Sequence, residues 1–306
     1  MRAMQGPHKS SDHLVRVLTT DGQLRAAAAD TTCLVREICA LQQTDLTATV
    51  ALGRFLTGAA LLGCLLKGQQ RLALMIEANG PLERLMVETD AAGHVCGKVK
   101  HPLTAVPPRD GRFDVAAAVG RAGFLHVVKD LGLKEPYRSM VQLQTSEIGE
   151  DLAWYLTHSE QVPSCVALGV ELDPQGQVAA AGGYLIQALP PGDETQLGRL
   201  ETHLRNFPPA TSWLRRGTGP TELLQEVLLD RRFSVRQTTR LRFTCSCSRN
   251  QISKVLAGLG ASELEAMARE QQGAEIRCEY CRKNYLYATD ELLALASSEE
   301  DHSERF

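Results

Sequence analysis

The sequence predicts an α+β protein in three parts. These are a mixed antiparallel-sheet domain around a central apolar helix (residues 13–190), a helical linker (191–240) and a small cysteine-rich C-terminal domain (241–296). Three observations carry this reading. Phe55 to Leu66 is an uncharged, mostly apolar stretch of 12 residues between Arg54 and Lys67, too short for the roughly 20 that a membrane helix needs. Short segments of strand-forming residues recur between turn sequences such as Asn79-Gly80-Pro81 and Asp173-Pro174-Gln175-Gly176, the pattern of antiparallel strands. Finally, four of the nine cysteines gather in two close pairs after residue 240.

Taken in order, residues 1–12 read as a loose tail. His13 to Thr20 and Gln23 to Ala28 flank Asp21-Gly22, a strong hairpin signal. From Thr32 the apolar residues Leu34, Val35, Ile38, Cys39 and Leu41 keep helical spacing. Asp45 can cap a second helix reaching about Lys67, with Ala, Leu and Gly on nearly all sides, as expected of a helix in the middle of a fold. Strands are predicted at Arg71–Ala78, Leu82–Thr89, His94–Lys100, Leu125–Lys129 and Tyr137–Gln144, then a short helix at Asp151–Ser159 and a strand pair at Ser164–Leu172 and Val178–Ala188.

Pro190-Pro191 ends that domain, since proline cannot extend a strand ladder. Gln196–Asn206 and Thr221–Leu229 follow as short helices with apolar stripes. Helices of this length are marginal alone, so the segment should be the least stable part of the chain. In the last domain, residues 249–257 read as helix and Ser262-Glu263-Leu264-Glu265 as a capping box. Ile276–Tyr287 reads as a hairpin, and the acidic tail from Ser297 as disordered.

With 43% hydrophobic and 23% charged residues the composition is that of a globular protein, and a net charge of −3 offers no general attraction for nucleic acid or anionic membrane. No apolar run opens the chain, so the expected location is the cytoplasm. Five cysteines (Cys33, Cys39, Cys64, Cys96, Cys165) are scattered among apolar neighbours and read as small core residues. Cys33 and Cys39, six apart, should not face the same way on a helix.

The remaining four form Cys245-Ser246-Cys247 and Cys278-Glu279-Tyr280-Cys281, with 30 residues (248–277) between the pairs. In a reducing compartment such a set reads as one tetrahedral Zn²⁺ site. The spacing lacks the usual ferredoxin pattern of an iron–sulfur protein. A domain this small has too little apolar core to be secure alone, so a structural ion would dominate its folding. The same thiolates are what oxidants attack. Oxidation is expected to join near neighbours, and such local bridges close rings too small to replace a long-range tie. A bridge from Cys247 to Cys278 would instead preserve the tie, and the sequence leaves both pairings open.

The chain resembles the redox-regulated heat-shock chaperonins, the 33 kDa chaperonin family, over roughly residues 13–292. The resemblance is carried by Phe243-Thr244-Cys245-Ser246-Cys247-Ser248, Cys278-Glu279-Tyr280-Cys281 and Tyr285-Leu286-Tyr287. Ser159-Glu160-Gln161-Val162-Pro163 and Ala180-Ala181-Gly182-Gly183-Tyr184-Leu185-Ile186-Gln187 reinforce it. It implies a non-enzymatic, ATP-independent holdase. In the reduced form Cys245, Cys247, Cys278 and Cys281 would hold one zinc ion, and the protein would be inactive and monomeric. Oxidation would form two disulfides, placed here as Cys245–Cys247 and Cys278–Cys281, release zinc, unfold the linker and expose surface for unfolding client proteins. The oxidised form would be a homodimer. The chain departs from the family pattern in its N-terminal lead and its five further cysteines.

Two other functions compete. A zinc-ribbon nucleic-acid module is disfavoured because eight basic residues between Arg240 and Asp290 face six acidic ones, a weak phosphate footprint. A thiol–disulfide oxidoreductase using Cys278 and Cys281 would place its C-x-x-C at a helix start rather than in a hairpin. Gly93-His94-Val95-Cys96-Gly97-Lys98 is one residue short of a phosphate loop, and His158-Ser159-Glu160 is better explained as a helix end than as a triad.

Overall fold

The computed structural model describes residues 12–303 apart from 110, 191–193 and 230. Two compact units separate, Met1–Thr244 and Cys245–Phe306.

The first unit opens with the hairpin β1 (His13–Thr19) and β2 (Leu24–Asp30). It turns at Gly22, whose φ of 71° is a left-handed value that suits glycine. Asp12 corrects the expected tail: it is buried, and its carboxylate accepts hydrogen bonds from the Cys33 and Leu34 amides at 3.0 and 2.6 Å, capping α1 (Thr32–Gln42). The rest of that expected tail, residues 1–11, lies outside the described residues. The next helix, α2 (Leu46–Gly63), is capped by Asp45, which accepts from the Ala48 amide at 2.8 Å. Its length and apolar composition would permit a membrane span, but 89% of it is buried inside the protein. Glycines let neighbours approach it: a Cβ on Gly58 would stand 2.4 Å from Leu152 Cδ1, and one on Gly53 2.7 Å from Val170 Cγ2.

Beyond α2 come β3 (Arg71–Ala78), β4 (Arg84–Asp90), β5 (His94–Val99), α3 (Val115–Val119), β6 (Gly123–Asp130), β7 (Tyr137–Gln142), α4 (Ile148–His158), β8 (Ser164–Leu172) and β9 (Val178–Ala188). Three short helices follow, α5 (Glu194–Arg205), α6 (Ala210–Arg215) and α7 (Pro220–Val227), then β10 (Phe233–Arg240) and β11 (Arg242–Phe243). Strand order is β10-β1-β2-β9-β8 in one sheet and β11-β5-β4-β3-β6-β7 in the other. All pairings are antiparallel except β11 with β5. The main core lies between the sheets, where Leu52, Phe55, Leu56 and Leu61 of α2 meet Leu74, Ile76, Val87 and Leu125 from one sheet and Leu14, Ala29 and Leu185 from the other. A second core fills the opposite face of the five-stranded sheet. There Val15, Val17, Leu24, Ala26, Tyr184 and Ile186 lie under Leu200, Leu223, Leu224 and Val227 of the short helices.

Residues 191–240, expected as helices, therefore also supply the edge strand β10. Leu241 joins the main core, and Thr244 is the last residue of the first unit, so the chain leaves that unit between Thr244 and Cys245.

The second unit contains α8 (Arg249–Ala257), α9 (Ala261–Glu270), the hairpin β12 (Gly273–Arg277) and β13 (Asn284–Ala288), and α10 (Thr289–Ser303). Two expectations change here. The capping box at Ser262 does not form, because the helix already starts at Ala261 with Gly260 as its N-cap. The tail expected to be disordered continues α10 as far as Ser303, because Leu292 and Ala296 bury one side of that helix in the small core.

Candidate metal centre

Local structure brings the two cysteine pairs together. Cys245 and Cys247 sit in the extended segment before α8, whose N-cap Ser248 accepts from the Gln251 amide at 3.2 Å. Cys278 and Cys281 sit in the turn joining β12 to β13. That turn is closed by Cys278 N–H to Lys283 O and Arg282 N–H to Cys278 O, both at 2.9 Å, with Arg282 at φ 61°. A tight turn of this kind presents two sulfurs to one side.

The four sulfurs all lie within 4.8 Å of one another. Cys245 Sγ stands 3.6 Å from Cys278 Sγ, and Cys247 Sγ 3.3 Å from Cys281 Sγ. Both distances exceed a disulfide bond, at about 2.05 Å. A tetrahedral ion bound to sulfur at about 2.3 Å separates its ligands by roughly 3.8 Å, so the cage fits a single ion of zinc size. A multi-iron cluster must place several metal atoms between its cysteines and needs a wider one.

The electrostatics point the same way. Burial pushes the Cys245 thiol far above the usual range, reinforced by Cys247 and Cys278, and burial raises Cys281 as well. Burial also raises Cys247, but hydrogen bonds from Tyr285 and the neighbouring thiols outweigh it and hold this group at about 7. The raised Cys245 and Cys281 thiols resist ionisation, and four adjacent thiolates need positive charge at their centre.

Supporting contacts surround the sulfurs. The Tyr285 hydroxyl donates to Cys247 Sγ at 3.2 Å, and Tyr285 itself is buried. Tyr287 O–H donates to the Arg249 carbonyl at 2.9 Å, tying β13 to the start of α8. The Arg249 guanidinium lies 4.4 Å over the Tyr287 ring and pairs with Glu291 at 2.6 Å. Both tyrosines belong to the small core. Their alternation around exposed Leu286 is the signal for burial, but the hydrogen bond to sulfur has no sequence signature. Of the scattered cysteines, Cys39, Cys64 and Cys96 are buried and Cys165 half-buried, whereas Cys33 is exposed, a correction to its reading as a core residue. It stands on the solvent side of α1, and Cys39 points inward.

Comparison with known proteins agrees with this geometry. A family model described as Hsp33 protein matches residues 12–288. The chain belongs to the Hsp33 family. The 33 kDa chaperonin of Syntrophotalea carbinolica is 56% identical over 93% of this chain and 99% of its own. That of Staphylococcus carnosus is 39% identical over 94% and 98% respectively. The crystal structure of the 33 kDa chaperonin (heat shock protein 33 homolog) from Thermotoga maritima superposes with a TM-score of 0.88 at 32% identity, covering 95% of this chain and all of that one. Family membership makes the coarse function that of a chaperone.

Proposed function

We propose that this protein is an ATP-independent, cytoplasmic holdase switched on by oxidation of Cys245, Cys247, Cys278 and Cys281. The observation that carries the reading is the gathering of four sulfurs from two distant motifs within 4.8 Å, in a unit with a small core. A zinc ion there would supply the charge that keeps the four sulfurs deprotonated, and would join segments that are far apart in sequence.

The chemistry balances with peroxide as oxidant. One thiolate of a pair attacks one peroxide oxygen, giving a sulfenic acid and releasing hydroxide, which is protonated to water. A second cysteine displaces the sulfenic oxygen as water and forms the disulfide. Each pair loses two electrons to one peroxide, so two peroxides yield two disulfides. Once a ligand is oxidised the cage loosens, and the thiol that stays close is the neighbour in sequence. This effective-concentration argument favours Cys245–Cys247 and Cys278–Cys281.

Loss of the tie leaves the second unit with Leu256, Leu264, Tyr285, Tyr287 and Leu292 as its larger buried side chains, too little for secure folding. Residues 191–240 form the metastable linker of this scheme. Helices α6 and α7, of 6 and 8 residues, are below the length that is stable alone. Their docking covers Val15, Val17, Tyr184 and Ile186, and release would bare that apolar face to an unfolding client. The reduced form is taken as a monomer and the oxidised form as a homodimer.

The test is zinc content and suppression of client aggregation, without ATP, on one sample before and after peroxide. Zinc loss with new holding activity supports the reading. Holding activity equal in both states, or zinc retained after oxidation, defeats it.

A further inference from the structure

The outer strand of the five-stranded sheet is also the segment that leads into the cysteine unit. β10 pairs with β1 from His13↔Arg240 to Thr19↔Phe233, with an irregularity between Arg16 and Val17. The partners are unequal. On β1, Leu14, Val15 and Val17 are 1, 2 and 0% exposed, and they serve both cores. No residue of β10 is buried, Val235 is half exposed, and most of the strand is polar.

β10 is therefore held by its backbone ladder, by Phe233 packed half-buried against the second core, and by a few polar ties. Arg16 donates to Gln237 Oε1 at 3.1 Å, and Ser234 Oγ to the Leu18 carbonyl at 3.4 Å. Just before the strand, Arg231 pairs with Asp21 at 2.7 Å and the Thr20 amide donates to the Arg232 carbonyl at 2.9 Å. Just after it, Leu241 N–H bonds Asp12 O at 2.9 Å, while Arg242 N–H bonds Gly93 O and Thr244 N–H bonds Val95 O, each at 3.1 Å. The next residue is Cys245, so the last tie of the strap adjoins the first reactive sulfur.

We propose that β10 is a removable cover, and that a captured client takes its place by adding an extended segment to the bared edge of β1. This rests on the redox reading above and names the contact that such a switch would open. β1 is seven residues long and directs the N–H and C=O of every second residue to that edge, the others bonding β2. These groups recognise an extended chain whatever its sequence. On one side of that edge lie Val15 and Val17, which the short helices cover when docked. The client segment favoured is one with alternate apolar side chains, since every second residue would rest on that face. An exposed edge of this kind is normally kept covered because it pairs indiscriminately. In a holdase that liability becomes the binding mode.

The test is hydrogen exchange on the full-length protein in the reduced zinc-loaded state, after peroxide, and after peroxide with a heat-unfolding client. Peptides spanning residues 12–20 should exchange at least tenfold faster after oxidation and regain protection with client, while those spanning 24–30 stay protected throughout. A second arm locks the strand with the double variant His13→Cys and Arg240→Cys, bridged and checked by peptide mass. The locked protein should lose zinc normally, yet need at least tenfold more chaperone to hold the same client than either single variant. The proposal is overturned if 12–20 stays protected in an oxidised, active protein, or if the locked protein holds client as well as the single variants. Reprotection that follows protein concentration without client would assign the edge to a second copy and overturn the client assignment. If the oxidised wild type keeps its zinc or holds no client, the redox reading itself fails, and this contact with it.

Discussion

Cys247 and Cys281 are 34 residues apart in sequence, and their sulfurs are 3.3 Å apart. With Cys245 and Cys278 at 3.6 Å, both of these close approaches link one motif to the other. The centre is thus a cross-tie between two segments, and its loss should matter more to folding than the loss of any single packing contact.

Cys278→Ser should abolish stoichiometric zinc binding, unfold residues 245–306 and release residues 191–240, while the rest of the first unit stays folded. The ligand set it breaks is worth about 10–16 kcal/mol apparent in small zinc domains, far above what the small core supplies. Metal analysis and limited proteolysis check both halves of the prediction. The variant should also hold client without oxidant.

Tyr285→Phe keeps the buried ring and deletes only the O–H that donates to Cys247 Sγ. Partners of metal ligands typically contribute 10–100-fold in affinity, so a chelator competition should find zinc bound weaker by about that factor. Unchanged affinity would reduce this hydrogen bond to packing.

Leu224→Ala removes a fully buried side chain from the interface between α7 and the five-stranded sheet. Substitutions of this kind cost about 2–5 kcal/mol, enough to undock short helices. The expected phenotype is holding activity with zinc still bound, read by aggregation assays on reduced protein. A variant that is silent until oxidised would remove helix release from the mechanism.

Asp45 ties the start of α2 to the loop at 102–106. Burial raises its carboxyl pKa, but donors from Ala48, Thr104 and Ala105 outweigh this and leave it below the usual range. A depressed carboxyl stabilises the fold above its unfolded pKa of about 3.9, and that stability is lost as pH falls through the folded value. Asp45→Ala should therefore cost about 1–2 kcal/mol near neutral pH. The difference from wild type should shrink only below about pH 4. Denaturant titrations at pH 7, 5 and 3 would measure it.

Much of this architecture was legible beforehand because the relevant patterns are strong. The apolar run inside α2, the turn at Gly22 and the two cysteine motifs each have one economical explanation. The failures share a cause: their signals are tertiary. β10 falls within the stretch read as a helical linker, because an edge strand with little buried surface needs no apolar alternation. β11 is two residues long and exists only through β5. Asp12 looks like tail until its carboxylate meets the start of α1. Ser262 has the spacing of a cap, but Gly260 starts the helix earlier. At the candidate metal centre the two cysteine pairs were readable as a set and the hydrogen bond from Tyr285 was not, since it depends on how a hairpin places a ring against a loop.

The most direct test maps the disulfides of the peroxide-treated protein by mass spectrometry, with zinc content and protease resistance measured on the same sample. Bridges Cys245–Cys247 and Cys278–Cys281, with zinc released and residues 245–306 newly cleaved, are the predicted result. Bridges joining Cys245 to Cys278 or Cys247 to Cys281, in a unit that stays protease-resistant, would contradict it.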